Sequence, residues 1–308
     1  MDIYKNIKII LILYKKSLKQ VICTISTTAY LPKVAVLYES LKGNTEFDFY
    51  CLITDKQNII SGTSAVQYLT LGDIEALIPS KIFGKYKGDA LRWGSKPLLI
   101  QYLIQKGYGK VIYVDNDIYF TDSPQIIFEY LEKNLFLLTP HFYQSNPNRH
   151  ARWFEANFRV GLYNAGFIAC TSESLDILRW WQGCCEYNIK KRFFRGLFDD
   201  QKYLDLIPVL FDGVSVVKER RWNMAAWNDF EYDHVIPIDS KIQPLFIHFT
   251  ALTLEKWGNE EHPFFHYYQS YVRMFKNQEF PLTSSRKRHL IAEYFRYLYW
   301  KIERAIEK

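Results

Sequence analysis

The chain has no internal repeat, no low-complexity tract and no Pro/Gly/Ser-rich linker, so repeat arrays and strings of tethered modules are excluded. It is also poor in cysteine. Its five (Cys23, Cys51, Cys170, Cys184, Cys185) are odd in number, widely spaced and without a C-x-x-C pair. Neither a disulfide framework nor a zinc site follows, and the expectation is buried thiols in a reducing cytoplasm. Near the start, Ile3 to Tyr14 is apolar for only about a dozen residues and is broken by Lys5 and Lys8; a bilayer span needs roughly 20. No small-residue cleavage site follows it, so export is not expected.

What the chain does have is rings. Aromatic residues make up 17% of its 308 residues, against 48% hydrophobic and 23% charged overall. The last two values are those of a folded globular chain. The first points to ring-lined clefts of the kind that bind sugars and nucleotides, or to a surface facing a membrane.

The formal net charge of +6 sits at the ends. Residues 1–20 and 283–308 each carry +4, leaving −2 for the body between them. A nucleic-acid binder spreads cations over its main surface, so no nucleic-acid partner is expected. In 283–308, Leu290, Ile291, Tyr294, Phe295, Leu298 and Ile302 recur at helical spacing beside seven cations. This basic amphipathic helix suits an anionic membrane surface, or packing against the protein or a second copy. The expected organisation is a basic apolar segment at 1–20, one domain at 21–282 and the helix at 283–308. The expected location is cytoplasmic, peripheral on the inner face of the membrane.

Within the body, Val21 to Ser26 reads as a strand, Pro32 to Leu41 as a helix and Phe47 to Ile53 as a second strand, a β-α-β opening. Ser95-Lys96-Pro97 reads as a helix start and Gly107 as its stop. Val111 to Val114 is a continuous apolar strand of the buried parallel type, and another helix is expected near Ser123-Pro124. An α/β protein follows, and in open α/β sheets ligands bind beyond the carboxyl ends of strands.

Beyond Val114 stands Asp115-Asn116-Asp117. In extended backbone, residues two apart share a side, which aims both carboxylates at one ligand. Two hard oxygen donors with open positions suit Mg²⁺ or Mn²⁺ on a diphosphate; a solvated turn is the plainer alternative. Asp199 and Asp200 read either as acids for catalysis or as caps for Lys202 to Leu206. The stretch from His141 to Arg159 is polar, aromatic and irregular, with a turn at Asn146-Pro147-Asn148, and suits a lid or acceptor loop.

Lys96-Pro97, VIYVDNDIYF (111–120), YNAGF (163–167), FDDQKYLDLIP (198–208), WNMAAWN (222–228) and PLFIHF (244–249) come in the order seen in bacterial nucleotide-sugar glycosyltransferases of the GT-A fold. Over about 21–257 the chain resembles surface-glycan enzymes distantly related to the glycogenin and lipopolysaccharide galactosyltransferase family. The resemblance implies a Rossmann-like, mixed but mostly parallel central sheet flanked by helices. It implies that Asp115, Asp117 and His248 hold a divalent metal, Mn²⁺ or Mg²⁺, and that Asp200 and Gln201 lie nearest the anomeric carbon. It places Thr24, Tyr30, Lys96, Asn116 and Lys256 on the nucleotide, and Asn164, Ala165 and Gly166 on the donor sugar. Asn223, Trp227 and Asn228 are expected as a polar and aromatic shelf for sugar, with Trp222 equally suited to the core. The chain departs from the family at Thr250-Ala251, where a small Ser-Gly pair usually follows His-Phe, and Lys256-Trp257 stands further from His248 than in relatives.

The expected function is therefore metal-dependent transfer of a sugar from a nucleotide-diphosphate donor, a UDP-sugar, to a glycan or glycolipid of the bacterial surface. Two alternatives stand beside it: a haloacid-dehalogenase-type phosphatase with Asp115 as nucleophile, and a non-catalytic membrane-surface protein on a transferase fold.

Overall fold

The computed structural model describes residues 18–41, 43, 47–55, 65–229 and 242–276. Most of the basic segment expected at 1–20, and all of the amphipathic helix expected at 283–308, lie outside the described residues.

Alternation along the strands builds the molecule. In β1 (Gln20–Ser26) Val21, Cys23 and Ile25 face one apolar layer while Ile22 faces the other. After β2 (Asp48–Ile53) and β3 (Gln67–Thr70), β4 (Lys110–Val114) divides in the same way, with Val111 and Tyr113 against Ile112 and Val114. Strands buried on both faces need cover on both. The Lys96–Gln105 and Leu175–Tyr187 helices supply it on the first face, and the Leu31–Leu41 helix on the second.

A short β5 (Ile118–Phe120) leaves the main sheet, and β6 (Phe136–Leu138), β7 (Phe167–Thr171) and β8 (Val214–Val216) complete it in the order β3-β2-β1-β4-β7-β6-β8. Only β7 pairs antiparallel to its neighbours, so the seven-stranded sheet is mixed and mostly parallel, as expected. From β1 the chain winds outward to β2 and β3, then returns to lay β4 on the other flank of β1. The carboxyl ends of β1 and β4 are therefore the switch point of the sheet, where a ligand crevice belongs.

The helix start at Lys96 holds. Pro97 occupies the first turn, and Gly107 ends the element with φ 92°, a conformation that costs a glycine little. The helix near Ser123-Pro124 runs Gln125–Tyr130. The segment 141–159 differs from the expectation: its second half is the Ala151–Arg159 helix, capped by the His150 side chain. All five cysteines are free, and four of them are buried. Among the described residues no helix is long and apolar enough to cross a membrane.

Candidate active site

The first site residue is set by the sheet itself. Tyr113 and Asp115 lie two apart at the end of β4, and the Tyr113 hydroxyl donates to Asp115 Oδ1 at 2.7 Å. Beyond Asp115 the backbone does not stay extended, as the sequence reading had it. The Ile118 amide donates to the Asp115 carbonyl at 3.1 Å, closing a turn that brings Asp117 round to the same side. Asn116 pins that turn across the switch point, its amide donating to the Ile25 carbonyl (3.3 Å) and to Ser26 Oγ (3.1 Å).

The turn feeds β5, which pairs antiparallel with β9 (Phe246–His248) in register Ile118↔His248. That register sets His248 beside the turn, with Nε2 3.0 Å from Asp117 Oδ1. The WNMAAWN stretch runs along the other edge of β9. Met224 bridges Ile247, and its carbonyl accepts the His248 amide at 2.8 Å. Trp227 lies edge-on to the imidazole, ring centres 5.3 Å apart.

Asp115, Asp117 and His248 offer ligand atoms that all lie within 4.8 Å of one another. Three further observations fit a divalent cation. The donor set is two carboxylates and an imidazole, suited to Mn²⁺ or Mg²⁺. His248 Nδ1 is buried without a hydrogen-bond partner. Gly166 faces the group so closely that a Cβ there would come within 2.6 Å of His248 Cε1 and 3.0 Å of Asp115 Oδ2.

A cavity of about 380 Å³ opens here, and eleven of the predicted residues line it: Lys96, Asp115, Asn116, Asp117, Asn164, Ala165, Gly166, Asp200, Gln201, Trp227 and His248. Its second wall is built around Lys96, whose side chain is 4% exposed. The resemblance places this lysine on the nucleotide. Instead its ammonium lies 3.3 Å from both Asp115 Oδ1 and Asp200 Oδ2 and donates to the Ala165 carbonyl at 2.9 Å. Burial works against the charge, but Asp115, Asp200 and Asp199 outweigh it and hold the ammonium protonated well above the usual lysine range.

Asp200 is fully buried and lies on the other side of that ammonium. Burial is the main influence on its carboxyl; Lys96 opposes it, Asp199 and Asp115 add to it, and the group is pushed up to about 7. Asp117 has the reverse balance. Burial is again present, but Lys33 Nζ at 3.4 Å and His248 together hold its carboxyl well below the usual range. The capping alternative does not hold for either acid: Gln201 takes the N-cap position of the Lys202–Leu206 turn with no side chain capping it, and Asp199, at φ 40°, accepts the Gln201 amide (3.1 Å) in the turn just ahead.

Gln201 and the YNAGF stretch form one frame. Gln201 Oε1 accepts the Ala165 amide (3.2 Å), its Nε2 donates to the Val160 carbonyl (3.3 Å), and Asn164 Oδ1 accepts the Gly166 amide (2.6 Å). These amides hold the wall in shape.

Five predicted residues stand outside the cavity lining. Thr24 points to the opposite side of β1, the face of Ile22, and is fully buried. Tyr30 borders the mouth, its ring 5.5 Å from both Lys33 and Arg92. Asn223 and Asn228 close a buried turn rather than a sugar shelf: Asn228 accepts the Ala225 amide (2.9 Å) and donates to the Asn223 carbonyl (3.0 Å), with Asn223 at φ 56°. Lys256 is in the last turn of the Ala251–Trp257 helix, whose Trp257 is core and donates to Asp229 at 3.0 Å.

The sequence reading missed Lys33, Arg92 and His141. Lys33 stands one helical turn after Tyr30, a spacing that signalled a shared face. His141 stacks on Tyr143 at 4.5 Å, and burial lowers it to about 3, so it is a neutral wall residue.

No family model matches the chain. It is similar to the uncharacterized protein YfnF of Bacillus subtilis (strain 168), 25% identical over 251 residues that cover 74% of this chain and 80% of that one. Among solved structures it is similar to an active-site mutant of LgtC (TM-score 0.50, 15% identity, covering 83% of this chain and 95% of that one). It is likewise similar to the apo WbbM bifunctional glycosyltransferase (TM-score 0.53, 11% identity, 85% of this chain), of whose length it spans 50%. At these identities the likeness speaks for architecture, and it agrees with the sheet described above: the chain has the GT-A fold of these glycosyltransferases.

Proposed function

We propose that this protein transfers a sugar from a nucleotide-diphosphate donor, a UDP-sugar, to a glycan or glycolipid acceptor in the assembly of a bacterial surface polysaccharide or lipopolysaccharide. The observation that carries this reading is the pairing of two unlike walls across one cavity at the switch point. One is the Asp115, Asp117 and His248 group; the other is the buried Lys96–Asp200 pair.

In this reading Asp115, Asp117 and His248 hold Mn²⁺ or Mg²⁺ against the donor's diphosphate. Bound there, the cation supplies positive charge to the leaving phosphate. Lys33 and Arg92 at the mouth add fixed cations on the diphosphate side, and Tyr30, between them, offers a ring for the base. Gly166 keeps the wall thin enough for close approach, and Trp227 presents an apolar ring surface to the sugar. In this reading Asp200 acts at the reacting carbon. With its proton held until about pH 7, it can accept a proton from an acceptor hydroxyl near neutrality; in a retaining course the same carboxylate would steady the developing positive charge at that carbon. Lys96 positions Asp200 and Asp115 in either course.

The test is thermal stabilisation by a panel of nucleotides and nucleotide sugars with and without Mn²⁺, followed by transfer assays with the donor that binds. A shift that requires both a uridine nucleotide and the cation, and is lost in Asp117→Ala, is expected. Hydrolysis of a generic aryl phosphate without any nucleotide shift would overturn the reading in favour of a phosphatase.

A further inference from the structure

Between the Leu175–Tyr187 helix and the cavity wall the chain reads Lys190-Lys191-Arg192-Phe193-Phe194-Arg195-Gly196, and all seven residues are exposed. The stretch carries four cations and no acid, inside a body whose net charge is negative. It also holds Phe194 with 85% of its surface in water and Phe193 with 42%. Two adjacent rings left this open mark an interaction surface rather than a folding requirement.

The presentation is fixed by the backbone. Arg192 and Leu197 exchange both main-chain hydrogen bonds, at 2.8 and 3.2 Å, so the segment is a closed hairpin. Phe193–Arg195 form a single 3-10 turn across its tip, and Gly196 at φ 64° turns the chain back. Its base is tied to the cavity. Lys191 lies 3.6 Å from Asp199 and packs over the rings of Phe198 (4.4 Å) and Trp93 (5.0 Å), while Phe193 meets Phe198 at 5.5 Å. Trp93, Phe198 and Asp199 all line the cavity.

We propose that the 190–196 hairpin docks the rim of the cavity onto an anionic lipid surface. Phe193 and Phe194 enter the boundary between headgroups and acyl chains, and Lys190, Arg192 and Arg195 lie on the headgroups. Lys191 is held back by Asp199. Rings at the tip with cations around them match the layered chemistry of a membrane interface, apolar within and negative at the surface. A soluble polyanion offers no apolar layer to receive the rings. The Arg195 guanidinium donates to the hydroxyl of Tyr187, also exposed, at 2.7 Å, extending the aromatic and cationic patch along the rim. The proposal rests on the transferase reading only for its purpose, presenting the cavity to a glycolipid acceptor.

The experiment is sedimentation of the full chain with vesicles of phosphatidylcholine alone and of phosphatidylcholine with phosphatidylglycerol. Wild type is expected to bind the mixed vesicles and not the neutral ones. Phe193→Ser with Phe194→Ser is expected to bind at least about tenfold more weakly, and Arg192→Ser about fivefold more weakly, each with an unchanged circular dichroism spectrum. In a Phe194→Trp variant, brominated acyl chains are expected to quench fluorescence beyond the wild-type level. Equal binding by wild type and the double phenylalanine variant, equal binding to neutral vesicles, or no added quenching would overturn the proposal. Loss of heparin affinity in Arg192→Ser with vesicle binding unchanged would overturn it in favour of a soluble polyanion. No step measures sugar transfer, so failure here is distinct from failure of the donor reading.

Discussion

Two carboxylates in one cavity are driven in opposite directions. Asp117, beside Lys33 and His248, is held ionised well below the usual carboxylate range, whereas Asp200, deeper and shared with Lys96 and two other acids, is pushed up to about 7. Burial acts on both. What separates them is how many acids each cation must serve: among the described residues Lys33 has one acid within ion-pairing distance, and Lys96 has two, with Asp199 also in its field. Environments that push paired acids apart commonly mark a division of labour, an anchor for charge on one side and a proton-handling group on the other.

The comparison breaks most completely at its anchoring side. Asp117→Ala is expected to lower kcat/KM for sugar transfer by at least about a thousandfold, the several kcal/mol a cation-holding carboxylate contributes. Its melting temperature without ligand should also fall somewhat, because a carboxylate held ionised by Lys33 and His248 stabilises the folded state at neutral pH, so turnover is compared at a temperature where circular dichroism shows both proteins folded. Full metal-dependent turnover by the purified variant would show that the acids do not divide the work as proposed.

Next in size is the cation of the buried wall. Lys96→Met leaves Asp115 and Asp200 facing each other without their shared ammonium, and unpairing a buried charge costs about 3–5 kcal/mol. Adding Asp200→Asn should restore much of that stability by removing the uncompensated charge. Additive losses in urea melts of the double variant would show that the pair does not act as a unit.

Gly166→Ala tests how the two walls meet. A Cβ 2.6 Å from His248 Cε1 forces the imidazole or the Asn164 loop to move, at about 1–3 kcal/mol. Titration with Mn²⁺ should show weaker binding than in wild type, and unchanged affinity would mean that Gly166 does not shape the cation site.

The smallest effect sharpens the contrast by pH. An unfolded Asp200 carboxyl takes up its proton only near pH 4, whereas in the folded chain it already does so near 7, so between these values the native state holds the extra proton. This contribution to stability is therefore complete below about pH 4. It is lost as pH rises towards 7, with a slope of at most about 1.4 kcal/mol per pH unit. Denaturation in EDTA across that window should show a shallower decline for Asp200→Asn than for wild type. Parallel curves would place the titration on another group.

Much of this site was legible as strings of residues. The strand Val111 to Val114, the acids directly behind it and the late His248 were readable because each depends on local pattern and on a known order of motifs. The Asn223–Asn228 stretch was readable as a motif but not as a role. Its amides and rings suit a sugar in sequence, yet the chain runs beside β9 and uses the amides on its own backbone, leaving only Trp227 in the cavity. Lys96 misled for a similar reason. A lysine at a helix start ordinarily reaches solvent, and only the arrival of Asp115 and Asp200 from distant parts of the chain makes its burial tolerable.

By itself, then, the sequence determined the alternation that splits β1 and β4 between two apolar layers, the helix bounded by Pro97 and Gly107, and the clustering of acids behind a buried strand, because these follow from backbone sterics and side-chain periodicity over a few residues. Tertiary structure alone decided that a turn rather than an extended strand aims Asp115 and Asp117 together. It alone set His248 opposite Ile118 and gave Lys96 two acids to serve. Those outcomes depend on desolvation and on charges brought within a few ångströms from segments tens of residues apart, distances that spacing along a chain does not encode.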